Sequence, residues 1–193
     1  MAPALRVERW FNTAAPITLD GLRGKVVVLE AFQMLCPGCV SHGLPQAGRI
    51  HATFAHDQVA VIGLHTVFEH HAAMTPVALQ AFLHEYRIAF PVGVDMPGMR
   101  DPIPQTMRAY AMRGTPTLVL IDRNGRLRHR HLGQVSDLLL GAQIASLSGE
   151  AHDESHNGHA ASTSSCTATS CFRDASGTNG NTVRGMESDD VSG

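Results

Sequence analysis

Residues 25–32 and 59–66 are short, β-branched, almost unbroken apolar runs, and each is followed by a stretch with helical spacing. That alternation limits the fold more than any other feature. A strand without polar alternation has both faces covered, which places it inside a parallel or mixed sheet between helical layers. Thr75 is a natural N-cap with Pro76 at the first helical position, and Leu79, Phe82, Leu83 and Tyr86 then recur at i, i+3, i+4 and i+7. This is the pattern of an amphipathic helix. After Cys39, the residues Val40, Leu44, Ala47, Ile50 and Phe54 share one helical face, and Gly43 and Pro45 mark a kink early in it.

Residues 90–94 read as a further strand, and a Pro-rich loop over 96–104 leads to a helix carrying Met107, Tyr110 and Ala111 that Gly114 is expected to stop. Residues 117–122 and 126–132 read as strands joined by Asp122-Arg123-Asn124-Gly125, a strong hairpin signal. Ser136 can cap a closing helix through Leu147. With an N-terminal strand or hairpin in residues 10–22, the expected order is β-α-β-α-β-α-β-β-α after that lead-in. The fold class is therefore α/β, a central mixed sheet flanked by helices. In such sheets chemistry collects beyond the carboxyl ends of the parallel strands, so Cys36 and the 65–71 loop are expected on the same side.

With 193 residues, 44% of them hydrophobic, and a formal charge of -2, the chain can bury one core and has no global basic bias toward nucleic acid. Composition changes near Ser148, after which Ser, Thr, Gly, Asn and His dominate. A folded domain over 1–148 and a disordered tail over 149–193 are expected. The first 17 residues contain Arg6, Glu8 and Arg9 and lack an apolar stretch of signal length, and no later run approaches a membrane span. The expectation is a soluble, cytoplasmic protein that contacts no membrane. Four cysteines are too few for a disulfide scaffold, and they fall into two local pairs, 36/39 and 166/171.

Cys36-Pro37-Gly38-Cys39 lies directly after the first buried run and directly before the kinked helix. A thiol is a poor nucleophile at neutral pH unless its anion is stabilised, and a helix N-terminus supplies unpaired N–H groups and a positive dipole end. Cys36 is placed to receive both. Pro37 suits the first helical position, and Cys39 comes three residues on, within disulfide reach.

Strand, Cys-Pro-Gly-Cys, kinked helix, and then Gly114-Thr115-Pro116-Thr117 ahead of a hairpin: on these residues the chain resembles the thioredoxin superfamily, specifically its TlpA-like or redoxin branch, over residues 8–148. The helix and strand at 76–94 resemble the insertion of that branch, and residues 19–25 its lead-in to the first core strand. The resemblance implies a thioredoxin-like fold and a thiol-disulfide oxidoreductase serving cell redox homeostasis. In it Cys36 attacks a substrate disulfide and Cys39 resolves the mixed disulfide. It implies a cis Pro116 that presents the Thr115 backbone to an extended substrate, with Leu35, Pro37 and Gly38 as flanking contacts. It also implies that Glu30, six residues before Cys36, is a buried carboxyl of raised pKa able to exchange a proton with Cys39. The implied partners are a disulfide-containing protein or small-molecule thiol substrate and a dithiol electron donor. A monomer without cofactor or metal is expected.

Three departures limit the transfer. Leu35 stands where the family commonly has tryptophan, the Pro37-Gly38 dipeptide leaves the direction of electron flow open, and Pro45 lies one residue further from Cys39 than the family's kink. A local bulge at Gly43 would absorb that last offset.

Other readings compete. A peroxiredoxin-like peroxidase shares the fold, but that chemistry usually places Thr or Ser three residues before the reactive cysteine, where this chain has Gln33. A copper-binding or metallochaperone module is a third reading, although such sites typically space their cysteines by three residues, not two. Half a zinc site would need two further ligands, the nearest cysteine pair being Cys166 and Cys171. His65, Glu69, His70 and His71 can be a metal cluster or simply a polar loop beside the site. His42 either tunes Cys39 or sits exposed one turn beyond it. The charged residues from Arg126 to His131 are read as a solvated edge-strand face. The tail residues His152, His156, His159, Cys166 and Cys171 are a chelating group, an accessory disulfide, or incidental.

Overall fold

The computed structural model describes residues 1–100 and 102–152. From residue 153 on, the expected tail, with Cys166 and Cys171, lies outside the described residues. The elements are β1 (Val7–Phe11), β2 (Val26–Phe32), a π-helical turn (Cys39–Gly43) running into α1 (Leu44–Thr53), β3 (Val59–His65), α2 (Pro76–Glu85), β4 (Val92–Asp95), α3 (Gln105–Ala109), β5 (Thr117–Ile121), β6 (Leu127–Leu132) and α4 (Asp137–Gly149). The strands form one six-stranded mixed sheet in the order β1-β4-β3-β2-β5-β6. Strands β2, β3 and β4 run parallel, while β1, β5 and β6 are antiparallel to their neighbours.

All seven residues of β2 are buried, as an apolar run without alternation demands. Its side chains feed two cores. Val26, Val28 and Phe32 meet Leu44, Ala47, Ile50, Leu79 and Ile144 on one face, and Val27, Leu29 and Ala31 meet Ile62, Leu64, Met107 and Tyr110 on the other. Each fully buried aliphatic side chain contributes about 1.5–3 kcal/mol of apolar burial, so this strand anchors both layers.

Local signals set several boundaries as expected. The Thr75 hydroxyl accepts from the Ala78 N–H at 3.3 Å, and the Ser136 hydroxyl from the Leu139 N–H at 3.2 Å. Asp122 organises the β5–β6 turn by accepting the N–H groups of Asn124 and Arg126, with Gly125 at φ 71°.

Of the two N-terminal alternatives, strand or hairpin, the strand forms: β1 starts at Val7, ahead of the expected residue 10, and pairs with β4, and the chain leaves it at Asn12, whose φ is 56° and whose amide donates to the Ile88 and Phe90 carbonyls. Two other bounds differ from expectation. β4 begins at Val92 because Phe90 turns into the core. α3 ends at Ala109, well before Gly114, because Ala111 takes the left-handed conformation at φ 50° and closes the helix itself.

The edge strand β6 is charged, yet its arginines are tied down rather than merely solvated. Arg128 pairs with Asp122 and Glu150, and Arg130 donates to the carbonyls of Tyr110 and Ala111.

Candidate active site

Beyond Phe32 the chain turns through Gln33 and Met34, both buried, and exposes Leu35 before entering the helix. Leu44 donates its N–H to the Cys39 carbonyl, an i→i+5 bond that fits one extra residue into the first turn. This is the bulge the Pro45 offset requires. Pro45 then falls in the first turn of α1, where its missing N–H costs nothing.

Cys36 is half-buried and Cys39 fully buried, and both thiols are free. The Cys36 Sγ accepts the Cys39 N–H at 3.2 Å and donates to the Thr115 carbonyl at 3.5 Å. The first contact is a helix N-terminal N–H aimed at the sulfur. Burial, then the hydrogen bond with Cys36, pushes the Cys39 thiol up to about 12. The Thr115-Pro116 peptide is cis, and the Pro116 ring lies 3.3 Å from where a Cβ on Gly38 would stand. Gly133 donates to the Pro116 carbonyl at 2.8 Å, fixing this loop to the end of β6. Pro37 and Leu35 are exposed beside Cys36, so the structure brings together Leu35, Cys36, Pro37, Gly38, Cys39, Thr115 and Pro116.

Glu30 points to the same face of β2 as Val28 and Phe32 and is 1% exposed. Its Oε1 has no hydrogen-bond partner among the described residues, and burial raises its carboxyl to about 8. Above it sits Gly43, expected from the sequence as a kink and bulge position and not as a neighbour of Glu30. A Cβ there would lie 2.2 Å from Glu30 Oε1 and 3.0 Å from Pro116 Cβ, so no larger residue fits between helix and carboxyl without a shift. Gly43 and Cys39 bound the same π turn and are both buried. A cleft of about 390 Å³, lined among others by Glu30, Gly43, Gln46, Leu118 and the 133–137 loop, lies on this side. Gln46 spans it by donating to the Val135 carbonyl at 2.9 Å and to Asp137 at 2.6 Å, while Arg49 pairs with Asp137.

The 65–71 loop does lie beside the site, through Gln33. The Gln33 amide oxygen accepts the Phe68 N–H at 3.3 Å, and its nitrogen donates to Glu69 at 3.4 Å. His65 separates from the other histidines. It is 1% exposed, packs its ring 5.3 Å from Phe32, and burial lowers it to about 4, whereas His70 and His71 are exposed. Among the described residues no three His, Cys, Asp or Glu side chains converge as metal ligands. His42 is exposed and bonds Ser41 at 2.7 Å.

A mixed sheet with a dithiol at a helix start, facing a cis-proline loop, defines a thioredoxin-like protein, and solved structures share this fold. A thioredoxin-like superfamily protein, SPOA0173, is 64% identical with a TM-score of 0.78, covering 79% of this chain and 98% of that one. A thiol-disulfide isomerase from Corynebacterium glutamicum is 53% identical with a TM-score of 0.74, covering 78% and 98%. The sequence pattern of the AhpC/TSA family matches residues 1–130, and the chain belongs to that family. Curated relatives include the thiol-disulfide oxidoreductase ResA of Halalkalibacterium halodurans, 25% identical over 124 residues, and protein DipZ of Mycobacterium bovis, 29% identical over 136 residues. The matches take in 64% and 69% of this chain but only 63% of ResA and 18% of DipZ.

Proposed function

We propose that the protein is a thiol-disulfide oxidoreductase acting on disulfide-containing substrates. The observation that carries this reading is the Cys36 Sγ, half-exposed, receiving a helix N-terminal N–H at 3.2 Å and facing the Thr115 carbonyl. Relatives named thiol-disulfide oxidoreductase and thiol-disulfide isomerase support it. In the proposed cycle the Cys36 thiolate attacks one substrate sulfur, forming a mixed disulfide and expelling the other sulfur as a thiolate that takes up a proton. Glu30, a carboxylic acid at rest, first gives up its proton, and its carboxylate then takes the proton of Cys39. Cys39 attacks Cys36, which closes the Cys36–Cys39 disulfide and releases the second substrate sulfur as a thiolate that takes up a proton. Leu35, Pro37, Gly38, Thr115 and Pro116 form the surface on which substrate docks. Electrons return from a dithiol donor. A monomeric state and a cytoplasmic location belong to the proposal; gel filtration and cell fractionation test them.

Reduction of insulin disulfides by the reduced protein should vanish in Cys36→Ser, and retained activity would sink the assignment. The family match gives a peroxidase reading some weight. Against it, Gln33 is buried, and its amide bonds to Phe68 and Glu69, so no hydroxyl stands there to hold a peroxide. Cys36-dependent consumption of hydrogen peroxide at a rate exceeding disulfide reduction would reverse that ranking. Equilibration of the dithiol with glutathione sets the direction: a potential near about -270 mV marks a reductant and one near about -120 mV an oxidant.

A further inference from the structure

Glu30 raises a transport problem. A carboxyl that takes a proton from Cys39 in each turnover must hand it to water, and on the Cys36 side the docking surface is covered by substrate at that moment. The cleft, whose lining includes neither Cys36 nor Pro37 nor Cys39, reaches the same group. Glu30 is among its lining residues, the Glu30 Oε1 is buried and unpartnered, and Gly43, also in the lining, would set a Cβ 2.2 Å from that oxygen. The cleft's volume, about 390 Å³, is well above the roughly 10–15 Å³ that a site needs to hold one water. Its outer wall is polar: Gln134, Ser136 and Asp137 are exposed, and Gln46 and Arg49 bind Asp137 across it.

We infer that Glu30 exchanges its proton with solvent through this cleft between α1 and the β6–α4 loop, a back entrance that stays open while substrate occupies the Cys36 face. The inference rests on the proton role assigned to Glu30 above. Glu30 first loses its proton to a cleft water, and its carboxylate then takes the proton of Cys39 Sγ, which restores the carboxylic acid for the next cycle, so no further reactant is needed. Gly43 and the Gln46–Asp137 bridge are positioning residues: one leaves room over the carboxyl, the other ties the two cleft walls to each other.

Chemical rescue tests this. In the 193-residue chain with Cys166 and Cys171 replaced by Ser, 5,5′-dithiobis(2-nitrobenzoate) reports two steps: Cys36 attack releases the first thionitrobenzoate and Cys39 resolution the second. Glu30→Ala should slow the second release about a hundredfold at neutral pH, the scale of a lost acid–base group, and leave the first unchanged. It also joins the vacated carboxyl space to the cleft, so formate and acetate should restore the second release saturably, whereas chloride at equal ionic strength should not. Gln134→Trp on the exposed rim should weaken that rescue. A slowed Glu30→Ala without rescue, or with rescue that Gln134→Trp leaves intact, overturns the route while the Glu30 role stands. A second release at the wild-type rate removes that role and the route together. If Glu30→Ala does not fold, Gln134→Trp alone should slow only the second release, and no slowing overturns the inference.

Discussion

Glu30 makes the stability of the reduced protein depend on pH in a direction opposite to that of a salt-bridged carboxylate. Its carboxyl sits near 8 in the fold against 4.5 when exposed, so the stability it confers is full below 4.5 and is lost as pH rises through 8. At 1.36 kcal/mol per unit the whole loss is about 5 kcal/mol. His65 acts the other way. Its folded value near 4 lies below 6.5, so its contribution is lost as pH falls from 6.5 toward 4. The two slopes oppose each other between 4.5 and 6.5, and the contribution of Cys39, raised from 9.0 to about 12, begins to be lost only as pH rises past 9. The clean window is therefore pH 6.5 to 8. Allowing for half-ionisation at the upper end, Glu30 should cost about 1.5 kcal/mol across that window. Glu30→Gln keeps the shape and removes the titration. Urea unfolding of both reduced proteins, followed through the fluorescence of the single tryptophan, Trp10, should show wild type losing about 0.5–1.5 M of midpoint relative to the variant. Parallel midpoint curves for the two proteins would refute the assignment of a buried, protonated carboxyl at this position.

Cys39→Ser should keep the first attack and trap the mixed disulfide, visible as a stable adduct by mass spectrometry; turnover without an adduct would contradict the order of the two thiols. Gly43→Ala should cost about 1–3 kcal/mol by overpacking against Glu30, and much less in a Glu30→Ala background, so the double-mutant cycle should be strongly non-additive. Leu29→Ala, emptying a fully buried site on β2, should cost about 2–5 kcal/mol in urea unfolding. Ser136→Ala should cost about 0.5–2 kcal/mol through the lost α4 cap, read as a lower urea midpoint.

The frame of this fold was readable because its signals are local. A run such as Val-Val-Val-Leu-Glu-Ala-Phe has few choices but a covered strand, and Thr75-Pro76, Asp122 to Gly125 and Ser136 carry their own hydrogen-bond partners within four residues. The π turn was half legible, since the Pro45 offset demanded an extra residue near Gly43. What Gly43 touches was not legible, because Glu30 and Pro116 reach it only through the sheet. The Gln46, Arg49 and Asp137 bridge was invisible for the same reason, joining α1 to α4 over about ninety residues. His65 carried a signal that the sequence reading left unused: as the last residue of a covered strand it had to point inward, away from its polar neighbours in the loop. Pairing of β1 with β4 depends on which sheet edge is free, and nothing local to residues 7–11 states that.

The burial of the second thiol also orders the proposed reaction. At rest, proton transfer from Cys39 near 12 to Glu30 near 8 runs uphill, so the reduced pair does not prematurely expose a second nucleophile. Part of what holds Cys39 up is Cys36 itself, through its hydrogen bond and its charge. Once Cys36 is tied into a mixed disulfide, both contributions fall away, and Cys39 becomes more acidic at the step that needs its anion. The half-exposed sulfur therefore reacts first and the buried one second: burial still holds Cys39 up, and the covalent bond made in the first step lifts the share that Cys36 contributes.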